Sequence, residues 1–191
     1  MRDLHELVNF ESGSPQFRIL ESLDKDAPCY RLYSQSDLLS DLTGIYTADA
    51  ENKEIRTKDT VHTLTAGDIV FSLITGKAAL VQPMHEGYLY TQNYIKIIPI
   101  VLFDAQFLVY LLNEDASVRK QLFLGLQGSQ VLKYTLQQLK ALQIRRLPAL
   151  EKQQMIGNVY VKQLRLEALQ KRAAELEKVI CLAKLAEAGK G

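Results

Sequence analysis

The segment from Leu150 to Ala188 constrains this chain more than any other. No proline follows Pro148, and Gly157 is the only glycine before Gly189. Leu, Ala, Glu, Lys, Gln and Arg dominate it, and these residues give up least on entering a helix. An apolar seam in steps of four and three runs through Val159, Leu166, Leu169, Ala173, Leu176, Ile180 and Ala183, broken only by Lys162. A 4-3 repeat held over about three heptads marks a coiled-coil helix rather than an ordinary surface helix. At 1.5 Å per residue it would run to about 58 Å, too long to bury against a small domain alone. The segment is therefore expected to project and pair with another helix. The competing expectation is a long helix folded back along its own domain.

The rest of the chain reads as globular. Of its 191 residues, 47% are hydrophobic and 24% charged, enough apolar material for a sizeable core. The formal net charge is +1, so a nucleic-acid role must rest on a local patch. Residues 151–188 hold seven basic and five acidic residues, whereas residues 1–60 hold seven basic and twelve acidic. Cys29 and Cys181 lie far apart and read as thiols of a reducing compartment rather than a disulfide. Met1 to Phe10 is interrupted by Arg2, Asp3, His5 and Glu6, so neither a signal peptide nor a membrane span is expected, and the protein should be cytoplasmic.

In chain order, Arg2 to Phe10 suggests a short amphipathic segment and Glu11 to Pro15 a turn. Pro28 to Tyr33 alternates like a strand, Asp37 to Leu42 reads as helix or turn, and Asn52 to Glu54 as a loop. Ile69 to Leu73 is an apolar run expected to form a buried strand, preceded by a turn at Leu64–Asp68 in which Asp68 bonds its own backbone. Ala78 to Val81 and Tyr94 to Val101 are further strands, with Pro99 at an end or edge. From Asp104, a plausible N-cap, the period becomes helical through Phe107, Leu108, Leu111 and Leu112. A second helix from Ser117 stops near Gly125, and Thr135 caps a third. Ile144 to Leu147 is expected to be a last strand. The fold class is thus α+β: a compact mixed β-sheet domain with short helices over residues 1–148, one long coiled-coil helix over 149–188, and a disordered tail at 189–191.

Enzyme motifs find no footing. A phosphate loop around Gly76-Lys77 would need a glycine where Phe71 stands and a hydroxyl where Ala78 stands. His5, His62 and His85 lack metal-ligand spacing, and no Gly-x-Ser-x-Gly elbow or methyltransferase tetrad occurs. No catalytic residue, metal or cofactor is expected.

The second half resembles the specificity subunit of type I restriction–modification systems. Four pieces carry this, in the family's order: Gly67-Asp-Ile-Val-Phe-Ser72 with Gly76-Lys77, Tyr90-Thr-Gln-Asn93, Phe107-Leu-Val-Tyr-Leu-Leu-Asn113, and Gly128 to Gln154. The likeness is close over residues 64–188 and loose before that. Where the family usually has prolines beside the last turn, this chain has Arg145, Arg146 and Ala149. The resemblance implies a DNA target-recognition domain followed by one conserved helix, a half-length form of a family that usually carries two of each. It implies double-stranded DNA, a methyltransferase subunit and a restriction subunit as partners, and a homodimer paired antiparallel through the helix. The seam residues would be Val159, Leu166, Leu169, Ala173, Leu176 and Ile180. In an antiparallel pair Arg165 and Arg172 would face their own kind, whereas a parallel pair sets Arg172 against Glu177.

Candidate base and phosphate contacts are polar loop residues: Ser14, Gln16 and Arg18 after Gly13; Thr75 and Lys77 around Gly76; Gln92 and Asn93; and Gln130 and Lys133 after Gly128. Amide and guanidinium groups suit bidentate readout of base edges. The rival expectation is a specificity-like interaction module that assembles with partner subunits and reads no DNA, which the +1 charge and acidic first third favour.

Overall fold

A strand as apolar as Ile69–Ser72 needs cover on both faces. The computed structural model, which describes residues 2–46, 53–100, 103–126, 133–145 and 147–189, provides it. Among the described residues eight short strands form: β1 (Arg2–Asp3), β2 (Val8–Ser12), β3 (Cys29–Arg31), β4 (Glu54–Arg56), β5 (Ile69–Ser72), β6 (Ala78–Leu80), β7 (Tyr94–Pro99) and β8 (Gln143–Ile144). The helices are α1 (Gln35–Thr43), α2 (Ala105–Glu114), α3 (Ala116–Leu124), α4 (Leu136–Lys140) and α5 (Leu150–Ala188). The central sheet has the order β2-β7-β5-β6, every pair antiparallel. Two-stranded ladders β1-β8 and β3-β4 flank it.

Alternation along β5 and β7 divides the core. Ile69, Phe71, Ile95 and Ile97 enter one cluster with Phe107, Leu108, Leu112 and Leu122 of α2 and α3. Val70 and Tyr94 enter a second with Tyr33, Leu38, Leu64 and Tyr90. Lys96, on that second face, pairs with Asp68 at 2.8 Å, and Asp68 also accepts from the Thr65 amide, which is the local turn bond expected of it.

Several expectations hold and several do not. Asp104 accepts from the Phe107 amide, Thr135 forms a capping box with Gln138, and α3 ends against Gly125. Residues 2–10, however, are two strands around a 3-10 turn at Leu4–Glu6, and β2 extends into the segment expected to turn, which is confined to Gly13–Pro15. Glu54, expected in a loop, opens β4. The last strand is only Gln143–Ile144, held by Arg2–Asp3, and does not run to Leu147. The missed strands are short, and their partners lie far away in sequence.

The long helix matches its expected span, and its first third packs on the domain. Tyr160 meets Tyr110 edge-on at 5.5 Å and donates to Glu114 at 3.0 Å. Gln153, 3% exposed, accepts from the Asp104 amide and donates to the Pro148 carbonyl. Gly157 lies at the crossing with α2, where a Cβ would stand 2.5 Å from the Phe107 nitrogen and 2.8 Å from Asp104 Oδ1. The backbone at that point cannot give way. Gly157→Ala should therefore destabilise by about 1–3 kcal/mol despite alanine's better helix propensity; a melting temperature at or above the parent's would show that the crossing is loose. Beyond this seat every described residue from Leu169 to Gly189 is exposed.

Candidate nucleic-acid interface

Four loop segments meet at one end of the central sheet, joined mainly through their backbones. The Gly13–Pro15 turn is the first. Ser14 donates its amide to the Tyr90 carbonyl, and its own carbonyl accepts from the Gln92 amide at 3.0 Å. A side chain on Gly13 would collide with the Tyr90 and Thr91 carbonyls, so only glycine allows this approach. The Asn93 carbonyl then accepts from the Leu73 amide, and the Leu73 carbonyl from the Tyr134 amide. The Ile74–Gly76 turn is closed by the Gly76 amide bonding back to Ser72, with Gly76 at φ 64 and no room for a Cβ beside the Tyr134 ring. Arg119 donates to the Gly76 carbonyl at 2.7 Å.

The expected contact residues fare unequally in this frame. Gln92 and Thr75 are exposed on adjoining loops, and Gln16 and Arg18 are exposed on a 3-10 turn just beyond Pro15. Asn93 and Lys133 are half-buried and bonded to each other, Lys133 Nζ donating to Asn93 Oδ1 at 2.7 Å. Ser14 is buried, its hydroxyl accepting from the His62 amide at 2.8 Å, so it holds the loop rather than presenting a group to a ligand. Lys77 reaches toward α2, donating to the Asn113 carbonyl and pairing with Glu114 at 3.2 Å. Gln130 lies outside the described residues.

Residues that were not foreseen complete the surroundings. Phe17 is 73% exposed between Gln16 and Arg18, with the Arg18 guanidinium 5.5 Å from its ring. The signal was there: an aromatic residue after a Pro-ended turn, flanked by two polar groups. Glu11 accepts from His62 at 2.7 Å and from the Tyr90 hydroxyl at 3.2 Å; the His62 bond is the main cause that holds its carboxyl below the usual range. The histidines remain apart, since His5 bonds the Lys140 carbonyl and His85 lies buried against Asp41.

A polar loop end beside a long helix is an arrangement met in known proteins. The family model for the type I restriction modification DNA specificity domain matches residues 4–178, across both the domain and most of α5. The chain belongs to that family. Specificity-subunit structures share the fold at low identity. The HsdS subunit from Thermoanaerobacter tengcongensis aligns with 93% of this chain and 41% of its own length, at 17% identity and TM-score 0.55. The type I system S subunit from M. genitalium aligns over 95% and 41%, at 16% identity and TM-score 0.51. A chain from a structure describing complex assembly and conformational transition of the type I R-M system aligns over 93% and 45%, at 16% identity and TM-score 0.62. This specificity-family chain therefore spans less than half the length of the solved structures it matches. No curated protein matches its sequence at a significant level. Among the described residues no helix is long and apolar enough to cross a membrane.

Proposed function

We propose that this chain is a non-catalytic DNA-reading subunit of a type I restriction–modification system. Its domain recognises one half-site, α5 pairs with α5 of a second copy, and the dimer recruits the methyltransferase and restriction subunits that perform the chemistry. The observation that carries this reading is the pairing of features in one family member: polar loops gathered at one end of the sheet, and a helix whose apolar seam is uncovered from Leu166 onward. Two-fold pairing sets the two reading surfaces in inverted orientation, so the target is a spaced palindrome. The like-charge objection to antiparallel pairing weakens, because Arg165 and Arg172 reach toward their own domain.

Selection from a random duplex pool, with and without the methyltransferase subunit, tests this. Enrichment of an inverted repeat with a fixed spacer is the expected result. Within that target, Asn93→Ala should change preference at one base pair by about 1–3 kcal/mol. Lys77→Ala should weaken binding evenly across sequences and lower the salt slope by about one, once Lys77 leaves Glu114 for a phosphate. Wild-type behaviour of both variants would remove these residues from the interface.

A second reading has its own support. Lys77 and Lys133 already have protein partners, and the first sixty residues are acidic. An interaction module that reads no DNA would bind the methyltransferase subunit yet leave random duplex unshifted at low salt, where even non-specific binding is strong.

A further inference from the structure

The helix α5 touches its domain at a second place, well beyond the Gly157 seat. The Arg165 side chain passes 3.8 Å from where a Cβ on Gly44 would stand. About two turns further on, past Leu169, Arg172 Nη1 donates to the Tyr46 carbonyl at 3.3 Å. Gly44, at φ 67, ends α1, so both cations lie near the negative end of that helix, where positive charge is favoured. The receiving segment is itself braced. The Tyr46 ring meets His85 edge-on at 5.9 Å, and His85 is held between Asp41 at 2.7 Å and Asp37 at 3.4 Å, both on α1. Gln35 ties the start of α1 to the sheet by donating to the Tyr94 hydroxyl and accepting from Ser72.

We propose that Arg165 and Arg172 are positioning residues, a second attachment that fixes the angle at which α5 leaves the domain. The inference rests on the reading of α5 as a spacer between two reading domains, but the attachment itself is independent of DNA. One seat does not fix the direction of so long a helix. From Gly157 to Ala188 the helix extends about 47 Å, so rocking by about 5° moves its tip by about 4 Å, more than the 3.4 Å between successive base pairs. A hold at Arg172, about 22 Å from the pivot, removes that freedom. A spacer loose by one base pair cannot measure one.

The two native cysteines make the test direct. Cys29, on β3, and Cys181, on α5, are both exposed and can carry spin labels. Labelled chains are diluted into an excess of unlabelled Cys29→Ser/Cys181→Ser chain, so that pulsed electron spin resonance reads only the distance within one chain. The parent should give one narrow distance distribution. Arg165→Ala/Arg172→Ala should broaden it at least twofold with the melting temperature unchanged, and Arg172→Lys alone should keep it narrow. Equal widths in parent and double variant, or a broad distribution in the parent, would overturn the proposal. A duplex selection that fails while the double variant broadens would count against DNA reading and leave the attachment standing.

Discussion

A chain carrying Leu169→Glu and Leu176→Glu should sediment as a folded monomer at concentrations where the proposed parent dimer forms. Both side chains stand in the middle of the seam, and they are 49% and 54% exposed in the single chain. Removing them therefore takes nothing from the domain core, and glutamate is about as good a helix former as leucine. The loss falls on association alone. Burying one leucine contributes about 1.5–3 kcal/mol, and the double substitution removes four across a two-fold pair, before any charge repulsion. A loss of about 6 kcal/mol or more weakens association by at least about four orders of magnitude. Far-ultraviolet circular dichroism should stay near the parent's, since Gly157 and Gln153 still seat the helix. A parent that is monomeric at high concentration, or a variant that still pairs, would end the homodimer reading.

The second large effect concerns stability. His85→Ala should cost about 3–5 kcal/mol, because it removes a buried ring packed among Tyr33, Tyr46 and Tyr88 and takes away the imidazole that Asp41 and Asp37 both face. The His85, Asp41 and Asp37 side chains are 5%, 0% and 6% exposed. Asp41 also accepts from the Tyr33 hydroxyl at 2.7 Å and the Gln82 amide at 3.0 Å, and Asp37 from Ser34 in the capping box of α1. Those bonds orient the two carboxyl groups, and the imidazole is the partner they share. Burial pushes the Tyr33 phenol well above its ordinary range, and the neighbouring Asp41 carboxylate adds to this, so Tyr33 stays a neutral donor. For a chain of this size the loss corresponds to a melting temperature about 10–15 °C lower. Adding Asp41→Asn to His85→Ala should return part of it, since a neutral amide costs less to bury and its oxygen can still accept from Tyr33 and Gln82. A single variant that melts within about 2 °C of the parent would mean that water or local shifts relieve the site.

The features legible in advance were those written in local chemistry. The Asp104 and Thr135 caps act within one helical turn, and the apolar run at Ile69–Ser72 is itself the signature of a strand covered on both faces. The strands β2 and β4 were not legible, because each is defined by a partner far along the chain: Val8–Ser12 by Tyr94–Pro99 and Glu54–Arg56 by Cys29–Arg31. The candidate contact residues divide in the same way. That Gly13, Gly76 and Gln92-Asn93 mark loops could be read directly. Which side chains those loops leave free could not, because Ser14 is covered by the residues around His62 and Tyr90, and Lys77 is claimed by Glu114 of another element.

The long helix shows the division most clearly. Sequence alone determined its span and its apolar seam, since helix propensity and the 4-3 spacing are properties of the segment itself. Only the tertiary structure decided how it is shared between roles. Gly157, a single gap in a strong helix former, is where α2 comes within backbone contact, and Arg165 and Arg172 turn toward the end of α1. Those outcomes depend on surfaces fifty or more residues away in the chain, and no local pattern encodes a distance of that kind.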